Sequence, residues 1–140
     1  MNKKEMSAIL SRASKEELGE IAKEIEKKCK VEILKEPQKT LVMVKARESI
    51  KRSLFYLGEV LATECMVVVN GTKGCSVIAG DEYEKCLYAA MIDAAVNANL
   101  DEEYGISKRI GQMKAHQEKE RARLNAEILK SKVNFNVMGE

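Results

Sequence analysis

Three carboxylates stand in apolar surroundings, and they are the first residues of this chain that invite a chemical reading. Asp93 interrupts Met91-Ile92-Asp93-Ala94-Ala95, while Glu59 and Glu64 lie in a mostly apolar stretch. A carboxylate buried without partners is costly, and its pKa rises. Groups perturbed in that way mark functional sites. The plainer role for Asp93 is a helix-edge carboxylate hydrogen-bonded to a neighbouring loop. Glu59 and Glu64 have no partner at a spacing the sequence fixes, so no acid–base couple is assigned.

Metal ligation is the next chemistry to weigh. His116 and Glu120 are spaced i, i+4 and share a helix face, as two ligands would. No third ligand falls near them, and a solvated histidine on a charged helix is the better reading. The four cysteines, Cys29, Cys65, Cys75 and Cys86, form no C-x-x-C pair. Zinc and iron–sulfur sites usually need closely spaced ligand pairs. Buried, reduced thiols acting as small hydrophobes are expected instead. Neither a metal nor a cofactor is expected in this chain.

Anion binding has two candidates. Gly71-x-x-Gly74 followed by Gly80-Asp81 at a helix start resembles a phosphate cradle, because helix N-termini bind anions. The stretch lacks the Gly-Lys-Ser/Thr of a Walker loop, and Asp81 puts a carboxylate where phosphate would sit. It reads better as structure. Val67-Val68-Val69 meets Asn70-Gly71, a hairpin signal, and Gly71 and Gly74 bracket the turn. Gly80 ends the return strand, and Asp81 with Glu84 forms a capping box. The second candidate is Lys45, Arg47, Lys51, Arg52 and Lys73, a set able to hold a polyphosphate if the strands bring it together. Charges on strand edges also guard against aggregation. In the last helix, bases such as Lys108, Arg109 and Lys119 alternate with Glu118, Glu120 and Glu127, the pattern of a solvated, salt-bridged surface.

The elements that must carry these residues follow from composition and periodicity. A chain of 140 residues, 45% hydrophobic and 33% charged, fits one globular domain over 1–140. A formal charge of +2 gives no global field that demands nucleic acid. No apolar run approaches the ~20 residues of a membrane span. The N-terminus lacks the apolar core of a secretory signal. A cytoplasmic protein without membrane or nucleic-acid partners is expected.

Two N-terminal helices open the chain. Asn2 caps the first, with apolar positions Met6, Ile9, Leu10 and Ala13. Ser14 caps the second, whose stripe is Leu18, Ile21, Ala22, Ile25 and Cys29. Strands are predicted at 31–34 and 40–46, separated by a turn at Pro37. Residues 53–69 are expected as two extended pieces, broken or bulged near Gly58-Glu59, with 60–65 a candidate helical turn. With the return strand at 75–79, this makes an antiparallel meander of about four strands. The helix after Asp81 is apolar nearly all round, so it is the buried central helix. The fold class is α+β.

The long last helix is predicted over about 106–130. Its apolar seam turns polar at Gln117 and at Glu120 or Arg121, which suggests a helix that bridges solvent or lies against a partner that supplies polar contacts. The tail, with Val133, Phe135 and Val137 on alternate positions and Met138 after them, reads as an added strand or a docking segment. Gln117, Glu120, Arg121, Val133, Phe135 and Met138 are therefore the candidate partner interface. Gly58, Glu59, Gly71, Gly74, Gly80, Asp81 and Asp93 are structural candidates, and no catalytic residue is assigned.

Several segments, in order, resemble the PhnG family. They are Ile9-Leu10-Ser11-Arg12-Ala13, Phe55-x-Leu57-Gly58-Glu59-Val60-Leu61-x-Thr63-Glu64, Gly71-x-x-Gly74 with Gly80-Asp81, Ala90-x-x-Asp93-Ala94, and Ser131-x-Val133-x-Phe135-x-x-Met138. The resemblance spans nearly the whole chain. It implies the small subunit of the carbon–phosphorus lyase core complex, used in phosphonate catabolism. That assembly makes α-D-ribose 1-methylphosphonate 5-triphosphate from ATP and methylphosphonate and releases adenine. The nucleosidase-like chemistry is attributed to a larger subunit, which the resemblance makes the chief partner. The radical step, with its iron–sulfur cluster and S-adenosylmethionine, belongs to another subunit. Two other readings stay open on the residues alone. One is a stand-alone enzyme on a small phosphorylated substrate, using Asp93, Glu59 or Glu64 as base. The other is a nucleic-acid-binding module using the last helix.

Overall fold

The computed structural model describes residues 2–47 and 54–138, with residues 44, 46, 47, 54–57 and 132–138 described as backbone only. The element order is α1 (Lys3–Arg12), α2 (Lys15–Lys28), β1 (Val31–Arg47), β2 (Leu54–Val69), β3 (Thr72–Ala79), α3 (Tyr83–Asn97), α4 (Asp101–Tyr104) and α5 (Ile106–Met138). The class is α+β, with an antiparallel sheet of order β1-β2-β3.

Local chemistry starts the helices where expected. The Asn2 side chain accepts from Glu5 N at 2.7 Å and the Ser14 hydroxyl from Glu17 N at 3.2 Å, satisfying N–H groups that the first helical turn leaves free. Leu18, Ile21, Ala22 and Ile25 then lie on one face of α2 and are fully buried. Gly19 on the same helix lets it approach Tyr88, whose ring lies 3.3 Å from where a Cβ would stand.

Helix α3 occupies the centre, packed on all three strands on one side and on α2 on the other. Cys86, Ala89, Ala90, Met91, Ile92, Ala94 and Ala95 are buried. Cover on two sides explains why its sequence shows almost no polar face. Ile106, Ile110 and Met113 at the start of α5 close the core.

The sheet has three long strands rather than about four shorter ones. Pro37 does not end β1. It sits where the β1–β2 register shifts between Lys35 and Gln38, in an irregular stretch of an edge strand, where proline's missing N–H costs no ladder bond. Residues 54–69 form one strand, with no helical turn at 60–65. A register shift opposite Val44 and Lys45 bulges β2 beside Gly58, whose φ is +147°. Asn70 and Gly71 both have positive φ, at 49° and 82°, which makes the β2–β3 link a two-residue type I′ turn.

Gly74 is not a turn glycine. A Cβ there would lie 2.2 Å from Ala94 N, so its role is to let β3 touch the α3 backbone. Asp81 does not cap α3 either. The helix begins at Tyr83 with Glu82 as N-cap, and the Glu82 N–H is taken by the buried Thr63 hydroxyl of β2 at 3.0 Å. Asp81 is exposed and faces Lys39 at 3.5 Å. The tail is neither a strand nor extended, since α5 continues through Val133 and Phe135 to Met138.

Candidate functional site

Asp93 lies at the junction of α1, α3 and β3. Its side chain is 16% exposed and pairs with Lys3 at 2.6 Å. It also accepts from Cys75 N at 3.0 Å and from Asn97 Nδ2 at 3.4 Å. Asn97 in turn donates to Lys73 O at 2.9 Å. Asp93 and Asn97 thus bind two main-chain groups of the edge strand β3, and α1 lies alongside that strand across a cleft of about 40 Å³. Asp93 is a structural tie with its hydrogen-bonding capacity taken up.

The other two carboxylates go elsewhere. Glu64 pairs with Lys35, whose hydrogen bond holds its carboxyl below the usual carboxylate value, and Gln38 lies within 3.5 Å. Glu59 is exposed and sits across from Met43 on β1. No two of Asp93, Glu59 and Glu64 are brought together by strand register.

Within the basic set, Lys73 stands apart from Lys45 and Arg47. Lys73 pairs in register with Val68 near the Asn70-Gly71 turn, while Lys45 pairs with Tyr56 at the opposite end of β2. Twelve residues of strand separate these levels, roughly 40 Å. Lys51 and Arg52 lie outside the described residues. Likewise, His116 is exposed, and among the described residues no group of three or more His, Cys, Asp or Glu is placed to hold a metal ion.

The thiols divide in two. Cys65 and Cys86 are buried; burial pushes the Cys65 thiol up to about 12 and raises that of Cys86, which donates to Thr63 O at 3.2 Å. Cys75 is exposed, which corrects the expectation that all four are buried. Cys29 is half-buried and meets Tyr104 Oη at 3.1 Å, a contact that pushes the phenol up to about 12.

The polar stretch of the α5 seam is used partly by the chain itself. Gln117 donates to Ile9 O at 3.0 Å, tying α5 to α1, so its polarity needs no external partner. Arg109 bonds Glu24 at 2.8 Å. Glu120 and Glu127 both engage Arg123, at 3.1 and 2.9 Å. Arg121 is exposed and borders a shallow groove of about 440 Å³ with Arg12, Glu17, His116 and Leu124. Leu124, Ile128 and Leu129 are exposed further along. The side chains of Val133, Phe135 and Met138 lie outside what is described.

Among the described residues, one exposed apolar grouping spans β1 and β2 and is one the sequence reading passed over. Leu41, Val42 and Met43 on β1 and Val60 and Leu61 on β2 are all 39–62% exposed. Strand register pairs Leu41 with Leu61 and Val42 with Val60. Four apolar residues in a row, Leu41 to Val44, were the available signal. Such a run is apolar on both faces of a strand and requires cover on both.

What this arrangement can do is bind another surface. Its apolar residues belong to paired strands, and Asp93 and Glu64 are spent on ties within the fold. No curated protein matches the chain. The model of a phosphonate metabolism protein family, PhnG, matches residues 1–139, from the first helix through the last turn of α5. The chain therefore belongs to the PhnG family of phosphonate metabolism proteins.

Proposed function

We propose that this protein is a subunit of the carbon–phosphorus lyase core complex. In this reading it is required for the transfer of ribosyl triphosphate from ATP to methylphosphonate, with release of adenine. The residues that perform the transfer belong to a larger, nucleosidase-like subunit, and this chain contributes a docking surface. The assembly works in the cytoplasm and binds no nucleic acid through this chain.

One observation carries the reading beyond family membership: the row of uncovered apolar residues at Leu41, Val42, Met43, Val60 and Leu61. Contiguous apolar surface rimmed by polar residues marks interaction sites on soluble proteins. Co-expression of the tagged chain with the companion phosphonate proteins tests it. The expected result is one stoichiometric complex that releases adenine from ATP when methylphosphonate is present, and no release when this chain is omitted. A chain that elutes alone as a monomer beside all its companions overturns the reading. Omission that leaves adenine release unchanged also overturns it.

A further inference from the structure

A groove of about 440 Å³ runs between α5 and the α1–α2 corner. Arg12, from the last turn of α1, and His116 and Arg121, from α5, line it. The fold holds its walls in place. Gln117 donates to Ile9 O at 3.0 Å, and Lys114 pairs with Glu5 about one turn earlier, so α5 is fastened to α1 beside the groove.

The charges of this groove are unequally committed. Two carboxylates border it. Glu17 is bonded by the Ser14 hydroxyl at 3.2 Å, and Glu120 pairs with Arg123 at 3.1 Å. Among the described residues, no carboxylate pairs with Arg12 or Arg121, and the His116 imidazole has no hydrogen-bond partner. Two guanidiniums are thus left uncompensated on one concave surface. The helix dipole accounts for a cation at the end of α1. It does not account for a second guanidinium, from another helix, on the same groove. An adjoining groove of about 480 Å³ meets the first at Glu17 and His116 and behaves differently. Its arginine, Arg109, is spent on Glu24 at 2.8 Å, and its other charges are the carboxylates Glu17 and Glu20. That second groove offers an anion nothing.

Guanidinium presents a rigid fork of donors that matches phosphate and carboxylate oxygens. Donors from three side chains on two helices suit a phosphoryl group, whose three free oxygens point in different directions, better than a planar carboxylate with two. The volume is of the size that holds small molecules, more than a bare phosphate fills. Leu124, 49% exposed, adds apolar surface to the lining. We propose that this groove binds a small phosphate monoester, with Arg12, Arg121 and His116 on the phosphoryl oxygens and the organic part against Leu124. The site stands whether or not the chain is a complex subunit, and it uses none of the exposed strand residues at 41–43 and 60–61.

Isothermal titration of the full chain with phenyl phosphate at low salt tests it. One site per chain is expected, with a Kd of about 1 mM or tighter. Inorganic phosphate separates a free anion from an ester: it is expected to bind about fourfold more weakly, the worth of one methylene removed from water. L124A brings the two ligands level. Benzoate, a carboxylate on the same ring, is expected to bind at least about tenfold more weakly than phenyl phosphate. R12Q/R121Q weakens phenyl phosphate binding at least about tenfold, the scale of a lost hydrogen bond to a charged group. K108Q/K130Q removes the same charge from exposed lysines of α5 outside the groove and leaves Kd within about twofold. Amide chemical shifts of the wild-type chain need no variant, and are expected to move around residues 12–17 and 116–124. Absence of saturable binding overturns the site. So do benzoate as tight as phenyl phosphate, equal losses in the two double variants, or shifts centred elsewhere. Inorganic phosphate as tight as phenyl phosphate overturns the assignment of an ester.

Discussion

The carboxylate of Asp93, midway along α3, accepts the main-chain N–H of Cys75 on β3 at 3.0 Å. The same carboxylate holds Lys3 at the start of α1. One side chain thus ties a strand and two helices. Asp93→Ala leaves the Cys75 N–H and the Asn97 amide short of a partner, and losing a largely buried acceptor costs about 1–3 kcal/mol. Asp93→Asn keeps one acceptor oxygen and is expected to lose less. The urea midpoints of the two variants check this; an unchanged midpoint in Asp93→Ala would show that the tie contributes nothing.

Gly74 and Gly111 are expected to respond in opposite directions to alanine. At Gly74 the new methyl would lie 2.2 Å from Ala94 N and 2.6 Å from Ala90 O, both backbone atoms that cannot move aside without shifting α3. Overpacking of this kind costs typically about 1–3 kcal/mol, and rigid neighbours put Gly74→Ala at the upper end or beyond. At Gly111 nothing lies within 4 Å, and the residue is inside α5. Gly111→Ala is expected to stabilise by up to about 1 kcal/mol through helix propensity. Thermal melts of both variants decide.

Acid is expected to weaken the fold. Hydrogen bonds from Lys114, Arg109 and Lys35 hold the carboxyls of Glu5, Glu24 and Glu64, respectively, below the ordinary value of 4.5. A group whose pKa is depressed in the folded state stabilises above its unfolded pKa, and the contribution is lost as pH falls through the folded value. The urea midpoint should therefore decline as pH drops below about 4.5. Added salt should flatten the decline, since these pairs are solvent-facing. A midpoint that stays level from pH 6 to pH 3 would contradict the assignment.

Thiol labelling should separate the cysteines by burial. Cys75 is exposed and should react first with a thiol-specific reagent, followed more slowly by Cys29 beside Tyr104. Cys65 and Cys86 are buried, and the Cys65 thiol is pushed up to about 12, so both should wait for unfolding. Mass spectrometry of the native protein after brief alkylation reads this directly. Early modification of Cys65 would contradict the core packing.

What was legible in the sequence was chiefly what is local. Asn2 and Ser14 cap their helices through residues three positions on, and Asn70-Gly71 turns the chain within two residues. The central helix was legible because burial on two sides leaves an apolar surround. The misreadings share a tertiary cause. Pro37 looks like a turn until an edge strand with a shifted register accommodates it. Gly74 belongs to α3 contact, and the Glu82 N–H finds Thr63 from a strand nineteen positions earlier. Gln117 suggested an outside partner but bonds Ile9 O, more than a hundred residues away in sequence. Val133, Phe135 and Val137 alternate as a strand would, yet the long α5 carries its helical ladder through them. The bare row of Leu41, Val42, Met43, Val60 and Leu61 escaped notice because strand length relative to β3, not composition, decides which apolar residues are left bare.

Asp93 and Asn97 occupy main-chain groups along one rim of the sheet, and α1 flanks the same rim. Strand-by-strand growth into a fibre needs two receptive rims on every copy. Along β3 that rim is already engaged by the chain itself, so at this end of the sheet β1 is the side left for a further strand.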